Sequence, residues 1–154
     1  MSVSERVTTF LRQRDVDFDI RAHAPTQTSL QTARAADVPR HRVAKGVLLE
    51  DGEQFVMAVI PATQRLDTRA LGVLLHRDLR LVPESDMSLL FRDCRPGAVP
   101  PLGSAYGIAT IVDDALLSRK EVFFEGGDHE HLVRVSGAAF DKLMIGNKHG
   151  SFGH

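Results

Sequence analysis

Apolar and polar positions are patterned most clearly over residues 43–61, VAKGVLLEDGEQFVMAVIP, where two apolar runs flank Asp51-Gly52. Asp-Gly suits the left-handed backbone of a two-residue turn, so the stretch predicts a central β-hairpin. With Asp51 and Gly52 as the loop, pairing outward from Glu50 and Glu53 sets Leu49 opposite Gln54, Val47 opposite Val56 and Lys45 opposite Ala58. Strand alternation then puts Lys45 on the face of Val43, Val47 and Leu49. Two readings of this ammonium stand side by side: a snorkelling lysine that lays its methylenes on the core, or a donor held there for a purpose. Fifteen of the nineteen basic residues are Arg, and Lys45 is the only Lys before Lys120. A compact, rotatable donor differs most from a planar guanidinium at such a place.

Other elements follow from the same pattern. Ser2-Val3-Ser4-Glu5 has the form of a capping box, and Val3, Val7, Phe10 and Leu11 fall on one helical stripe. Val16, Phe18 and Ile20 alternate with polar residues as in a half-buried strand, which His23-Ala24-Pro25 ends. Thr28 with Gln31 opens a short helix that turns Leu30, Ala33 and Ala36 inward. Beyond the hairpin, Asp67 caps a helix with Ala70, Leu71, Leu74 and Leu75 on its apolar face, residues 79–82 form a short strand, and Ser85 caps a helix facing Met87, Leu90 and Phe91 inward. Residues 95–103, RPGAVPPLG, hold too many breakers for helix or central strand and form a stiff loop. Strands at 105–112, 121–124 and 129–135 surround a helical turn at 113–118. Ser136 caps a last helix carrying Phe140, Leu143 and Met144, and residues 146–154 read as a loose tail.

Hairpins with helices between them, without regular βαβ alternation, predict an α+β class with a curled mixed, mainly antiparallel sheet, a partial barrel with flanking helices. One domain over residues 1–145 accounts for the 154-residue chain, which is 43% hydrophobic. The net charge of −1 argues against a strongly basic nucleic-acid module and leaves room for a local basic patch. Cys94 is the single cysteine, so no internal disulfide forms and a reducing cytoplasm is the expected location. The apolar runs are far short of a membrane span, and no membrane association is expected.

The usual catalytic signatures GxSxG, HExxH, GxGxxG and the P-loop are absent. His129 and His131, two apart on an expected strand, have the form of a metal half-site that Cys94, His23 and Asp128 would have to complete. No spacing fixes those further ligands, so no metal and no other cofactor is expected. Arg34, Arg40, His41, Arg42 and Lys45 crowd positive charge ahead of and into the hairpin. Such a run is either a solvated face or a rim whose guanidinium forks contact phosphates.

Several stretches together resemble the YbaK/ProX-type aminoacyl-tRNA deacylases, which include editing domains of prolyl-tRNA synthetases. They are His23-Ala24-Pro25-Thr26, Val43-Ala44-Lys45-Gly46-Val47-Leu48-Leu49, Ala58-Val59-Ile60-Pro61 before Leu66-Asp67, and Gly97-Ala98-Val99-Pro100-Pro101-Leu102-Gly103. Thr110-Ile111-Val112-Asp113 and Gly126-Gly127-Asp128-His129, followed by Leu132-Val133-Arg134-Val135-Ser136, complete the set. Their order and spacing carry the resemblance, which runs from about residue 23 to residue 144. It implies a pocket where Lys45 acts on an aminoacyl ester and the backbone of Gly97, Ala98, Val99, Pro100 and Pro101 borders the amino acid. His129 would orient water or substrate. Ala58, the expected neighbour of Lys45, and His23, at the head of the matched region, join the expected substrate contacts. Arg34, Arg40 and Arg42 would meet the acceptor end of mischarged tRNA, and an aminoacyl-tRNA synthetase is a second expected partner. An activated ester needs positioning and oxyanion donors more than a covalent nucleophile. Gly46 stands where some relatives carry a polar residue, so the edited amino acid stays open among alanine, cysteine, serine and others. A catalytically silent module of the same fold, binding a small molecule or a synthetase, is the competing expectation.

Overall fold

The structure, a computed structural model, describes residues 3–154. It holds helices α1 (Glu5–Gln13), α2 (Ser29–Ala35), α3 (Thr68–Leu75), α4 (Glu84–Leu90) and α5 (Gly137–Leu143). The strands are β1 (Asp19–Ala22), β2 (Val43–Glu50), β3 (Phe55–Pro61), β4 (Arg80–Leu81), β5 (Ala109–Asp113), β6 (Glu121–Glu125), β7 (His131–Ser136) and β8 (Lys148–Gly150). They form one open mixed sheet in the order β1-β7-β6-β2-β3-β5-β8, with β4 paired to β2 off that path. Pairs β1–β7, β6–β7, β2–β3 and β2–β4 are antiparallel, whereas β2–β6, β3–β5 and β5–β8 are parallel. Among the described residues no helix is long and apolar enough to cross a membrane.

Local side-chain bonds set several helix starts. Thr28 accepts from the Gln31 N–H, Asp67 from Ala70 and Ser136 from Ala139, each satisfying a donor that the first helical turn leaves over. Two caps differ from expectation. Ser2 lies outside the described residues, and Ser4, at the N-cap of α1, turns its hydroxyl to the Asp93 carboxylate. Pro83, not Ser85, precedes α4, in keeping with the fixed φ that proline brings to a helix start.

The helices cover both faces of the sheet. On one face Leu48, Met57, Val59 and Phe124 pack with Val7 and Leu11 of α1 and Phe140 and Leu143 of α5. On the other, Leu49, Val56, Ala58, Ile60 and Ile111 meet Leu71 of α3 and Phe152. Ala33 of α2 closes a smaller cluster over Val43, Phe123 and Leu132. Leu30 and Leu74, expected inside, are each 41% exposed, because these short helices bury one narrow stripe.

The hairpin register also differs. Leu49 pairs with Val56, Val47 with Ala58 and Lys45 with Ile60, a shift of two residues from the expected pairing. The Asp51 carboxylate accepts the N–H groups of Glu53 and Gln54 through Oδ1, and Arg77 reaches Asp51 Oδ2 and the Gln54 carbonyl. These bonds hold a wider turn than a two-residue loop. Because side chains alternate with period two, the shift leaves every residue on its expected face.

Irregular segments replace parts of three expected strands. The exposed β1 begins at Asp19, β5 follows a 3₁₀ turn over Gly103–Tyr106, and β7 begins at His131 after a left-handed His129 with φ of 61°. Residues 146–154 are not a loose tail. Lys148–Gly150 pairs with β5, Phe152 is 2% exposed, and Asp113 Oδ2 accepts the N–H groups of Phe152 and Gly153. The buried phenyl ring and the capped backbone supply the burial and pairing that a periodic pattern would have signalled.

Candidate active site

β2 changes partners along one edge. Val43 and Ala44 pair with β6, Leu49 and Glu50 pair with β4, and the residues between them open onto a cleft of about 240 Å³. Lys45, Gly46, Val47 and Leu48 form its floor. One wall is β4 and α4, with Val82, Glu84, Met87 and Phe91. The other is the proline-rich loop, with Cys94, Arg95, Pro96, Gly97 and Val99. Gly46 packs closely here, since a Cβ would stand 2.9 Å from Met57 Sδ and 3.3 Å from Pro101 Cα.

Lys45 is half-buried, and among the described residues no carboxylate lies within ion-pair distance of its ammonium. Burial first, and the Arg65 charge second, lower its pKa from the ordinary lysine value. Cys94 also lines the cleft. Burial, partly opposed by a hydrogen bond with Tyr106, pushes its thiol up to about 12, so it stays protonated at neutral pH.

The loop is fixed from behind by the turn between β6 and β7. Arg95 N–H donates to the Gly127 carbonyl at 2.8 Å, and His129 Nε2 lies 2.5 Å from the Pro96 carbonyl oxygen. A carbonyl only accepts, so Nε2 carries the hydrogen. Gly97, at φ of 80°, fits between this ring and the Gln27 carbonyl, where a Cβ would stand 3.2 Å from His129 Nε2 and 2.9 Å from Gln27 O.

Behind His129 lies a buried polar cluster. Thr32 donates to Glu125 Oε1 at 2.5 Å, Thr26 and Thr32 share a hydrogen bond, and His129 Nδ1 stands 3.8 Å from Glu125 Oε1. Burial raises the Glu125 pKa above the ordinary carboxylate range, against the lowering effects of Thr32, His129 and His23. Asp128 accepts the N–H groups of Glu130 and His131 and the His131 ring at 2.6 Å.

The expected site residues therefore separate into groups. Lys45, Gly97 and Val99 line the cleft, while Ala98, Pro100 and Pro101 are buried behind its wall. Ala58 is fully buried opposite Val47 and does not reach the cleft, because β3 pairs along the edge of β2 away from β4 and β6. His129 touches the loop from behind, and His23 stands with Glu125 in the polar cluster. Arg34 and Arg40 are exposed near the start of β2, but Arg42 is engaged with Glu121 at 2.9 Å. The metal half-site is not formed: His129 precedes β7 in a left-handed conformation, so it does not share a strand face with His131, whose ring is held by Asp128. Among the described residues no group of three or more His, Cys, Asp or Glu side chains is placed to hold a metal ion. Sequence reasoning missed Thr32, Glu125 and the β4–α4 wall, for which only the helix pattern of α4 gave a local signal.

The chain belongs to the aminoacyl-tRNA editing domain family, whose model matches residues 23–143. Among solved structures it is similar to a hypothetical protein, with 25% identity and a TM-score of 0.85 over 97% of this chain and 100% of that one. It is also similar to a protein described as a candidate trans-editing enzyme for prolyl tRNA synthetase, with 22% identity and a TM-score of 0.81 over 99% of each chain. A Marinobacter aquaeolei protein described in terms of signal transduction shares the fold at 20% identity and a TM-score of 0.80, over 99% of this chain and 31% of that one. No curated protein matches the chain in sequence.

Proposed function

We propose that the protein is an aminoacyl-tRNA deacylase that hydrolyses the ester of mischarged tRNA in trans, with the aminoacyl group in the cleft over Lys45. The observation that carries this reading is an ammonium free of any carboxylate partner among the described residues, on the floor of a cleft walled by the Gly97 loop. An unneutralised donor is suited to an oxyanion that develops only as water adds to the ester carbonyl. The lowered pKa of Lys45 makes its proton easier to share with that oxygen. The high thiol pKa of Cys94 supports direct attack by water over a covalent intermediate. Arg34 and Arg40 are the exposed guanidinium groups for the tRNA backbone, and a synthetase that supplies the mischarged tRNA is a fitting partner.

The test is a panel of tRNAs, each charged with several small amino acids and incubated with the purified protein. Hydrolysis of one or more members above the uncatalysed rate is expected. Binding of the panel without hydrolysis would replace the enzyme with a silent binding module.

A further inference from the structure

We propose that Glu125 is a positioning residue, which acts through the buried ring of His129 to hold the Pro96–Gly97 turn at the cleft. The proposal rests on the reading of that cleft as the ester site. Glu125 and His129 are 2% and 6% exposed, and each has one buried side-chain atom without a hydrogen-bond partner, Oε2 and Nδ1. Two unsatisfied atoms on neighbouring side chains are costly, and they are informative when they share a partner requirement.

The proton count explains the pair. His129 Nε2 must carry hydrogen to meet the Pro96 carbonyl. Glu125 Oε1 already accepts from Thr32. One further proton can sit on Oε2 of a neutral carboxyl or on Nδ1 of an imidazolium, the ring nitrogen standing 3.8 Å from Glu125 Oε1. Both arrangements are neutral overall, and both keep Nε2–H on Pro96. Without that proton a bare negative charge stays buried beside the ring, and a second proton leaves an uncompensated positive one. With one proton on the pair, neither side chain carries an uncompensated buried charge while the ring keeps Nε2–H on Pro96.

A second imidazole borders the pair: His23, whose Nδ1 lies 2.7 Å from the Ala24 carbonyl oxygen, has a buried Nε2 that also lacks a hydrogen-bond partner. Glu125 faces Thr32 from α2, His23 from the segment after β1, and His129 and Asp128 from the turn before β7. The Asp128 carboxylate is occupied by His131 and two backbone N–H groups. His129 itself sits at φ of 61°, a left-handed conformation that is uncommon for a non-glycine residue.

The experiment uses the full chain and Glu125→Gln, which keeps the size and the Thr32 hydrogen bond and removes the titrating carboxyl. Nitrogen-15 NMR of the His129 ring across pH reads the tautomer without any substrate. In the wild type we expect hydrogen on Nε2 and a ring titration that is mirrored in the carbon-13 shift of the Glu125 carboxyl. In Glu125→Gln we expect the ring titration to move and the pH profile of kcat/KM to move with it, with a loss of up to about 10²-fold from a displaced loop. Hydrogen on Nδ1, independent titration of the two wild-type groups, or an unchanged pH profile in a folded variant would overturn the proposal. If Glu125→Gln does not fold, the wild-type NMR titration decides alone. Should the wild type hydrolyse no member of the tRNA panel, the ester-site reading fails while the tautomer and coupled titration still stand or fall by themselves.

Discussion

His129 Nε2 lies 2.5 Å from the carbonyl oxygen of Pro96, so the turn before β7 grips the loop that walls the cleft. Floor and wall come from different parts of the chain, and this contact sets the space between them. The consequences for function centre on the one lysine of the floor.

Lys45→Ala is expected to leave the fold intact and to lower deacylation by about 10²–10³-fold, the usual cost of a lost oxyanion donor. Lys45→Arg is expected to be nearly as inactive, because a planar fork replaces a compact donor beside the existing Arg65 charge. Single-turnover hydrolysis, with circular dichroism as the folding control, checks both. Activity of Lys45→Ala within a few-fold of wild type would return Lys45 to a snorkelling role.

Neutralising Arg34 and Arg40 together is expected to weaken tRNA binding and to flatten its dependence on salt. Arg42 is left out because it is bound to Glu121, which Arg134 also contacts at 2.9 Å. Binding isotherms over a salt series provide the measurement. An unchanged slope would place the tRNA contact elsewhere.

Phe152→Ala is expected to lower stability by about 3 kcal/mol, as for other buried phenyl rings. The ring sits with Leu71 and Ile60, and the Phe152 carbonyl accepts the N–H of Asp67 at the start of α3. Urea unfolding reads the change. A shift under about 1 kcal/mol would mean that the C-terminal segment adds little to the core.

Acid should weaken the hairpin turn. The Arg77 hydrogen bond, aided by the N–H groups of Gln54 and Glu53, holds the Asp51 carboxyl well below its ordinary value of 3.8. A depressed folded-state pKa gives stability that is present above the unfolded value and lost as pH falls below it. Melting temperature should therefore drop below about pH 4, and less steeply in Asp51→Asn, which keeps the acceptor for the turn and loses the charge. Parallel slopes for the two proteins would remove Asp51 from the acid response.

What the sequence made legible was local or periodic. The caps Thr28, Asp67 and Ser136 were readable because each side chain bonds a backbone N–H three residues on. The face of Lys45 was readable because alternation survives a shift of two, but its partner was not, since Arg77 fixes the turn from 26 residues away. Thr32 and Glu125 meet across 93 residues, and neither position carries a local mark of that contact. Phe152 was hidden for a related reason, because Lys148–Gly150 finds its strand partner only through β5. Lys45 and the Gly97 loop stood out through composition and breakers, which need no partner to be seen.

The grip of His129 on Pro96 also bears on when the site comes into being. Every side chain that lines the cleft lies between Ser29 and Val99, yet the backbone and ring that brace its wall come from Gly127 and His129. The parallel pairings β2–β6 and β3–β5 likewise wait for distant strands, and such closures are slow relative to local hairpins. A nascent chain thus carries all the lining residues well before it can shape them. On the ribosome, the cleft takes its shape only once the segment that carries Gly127 and His129 has emerged.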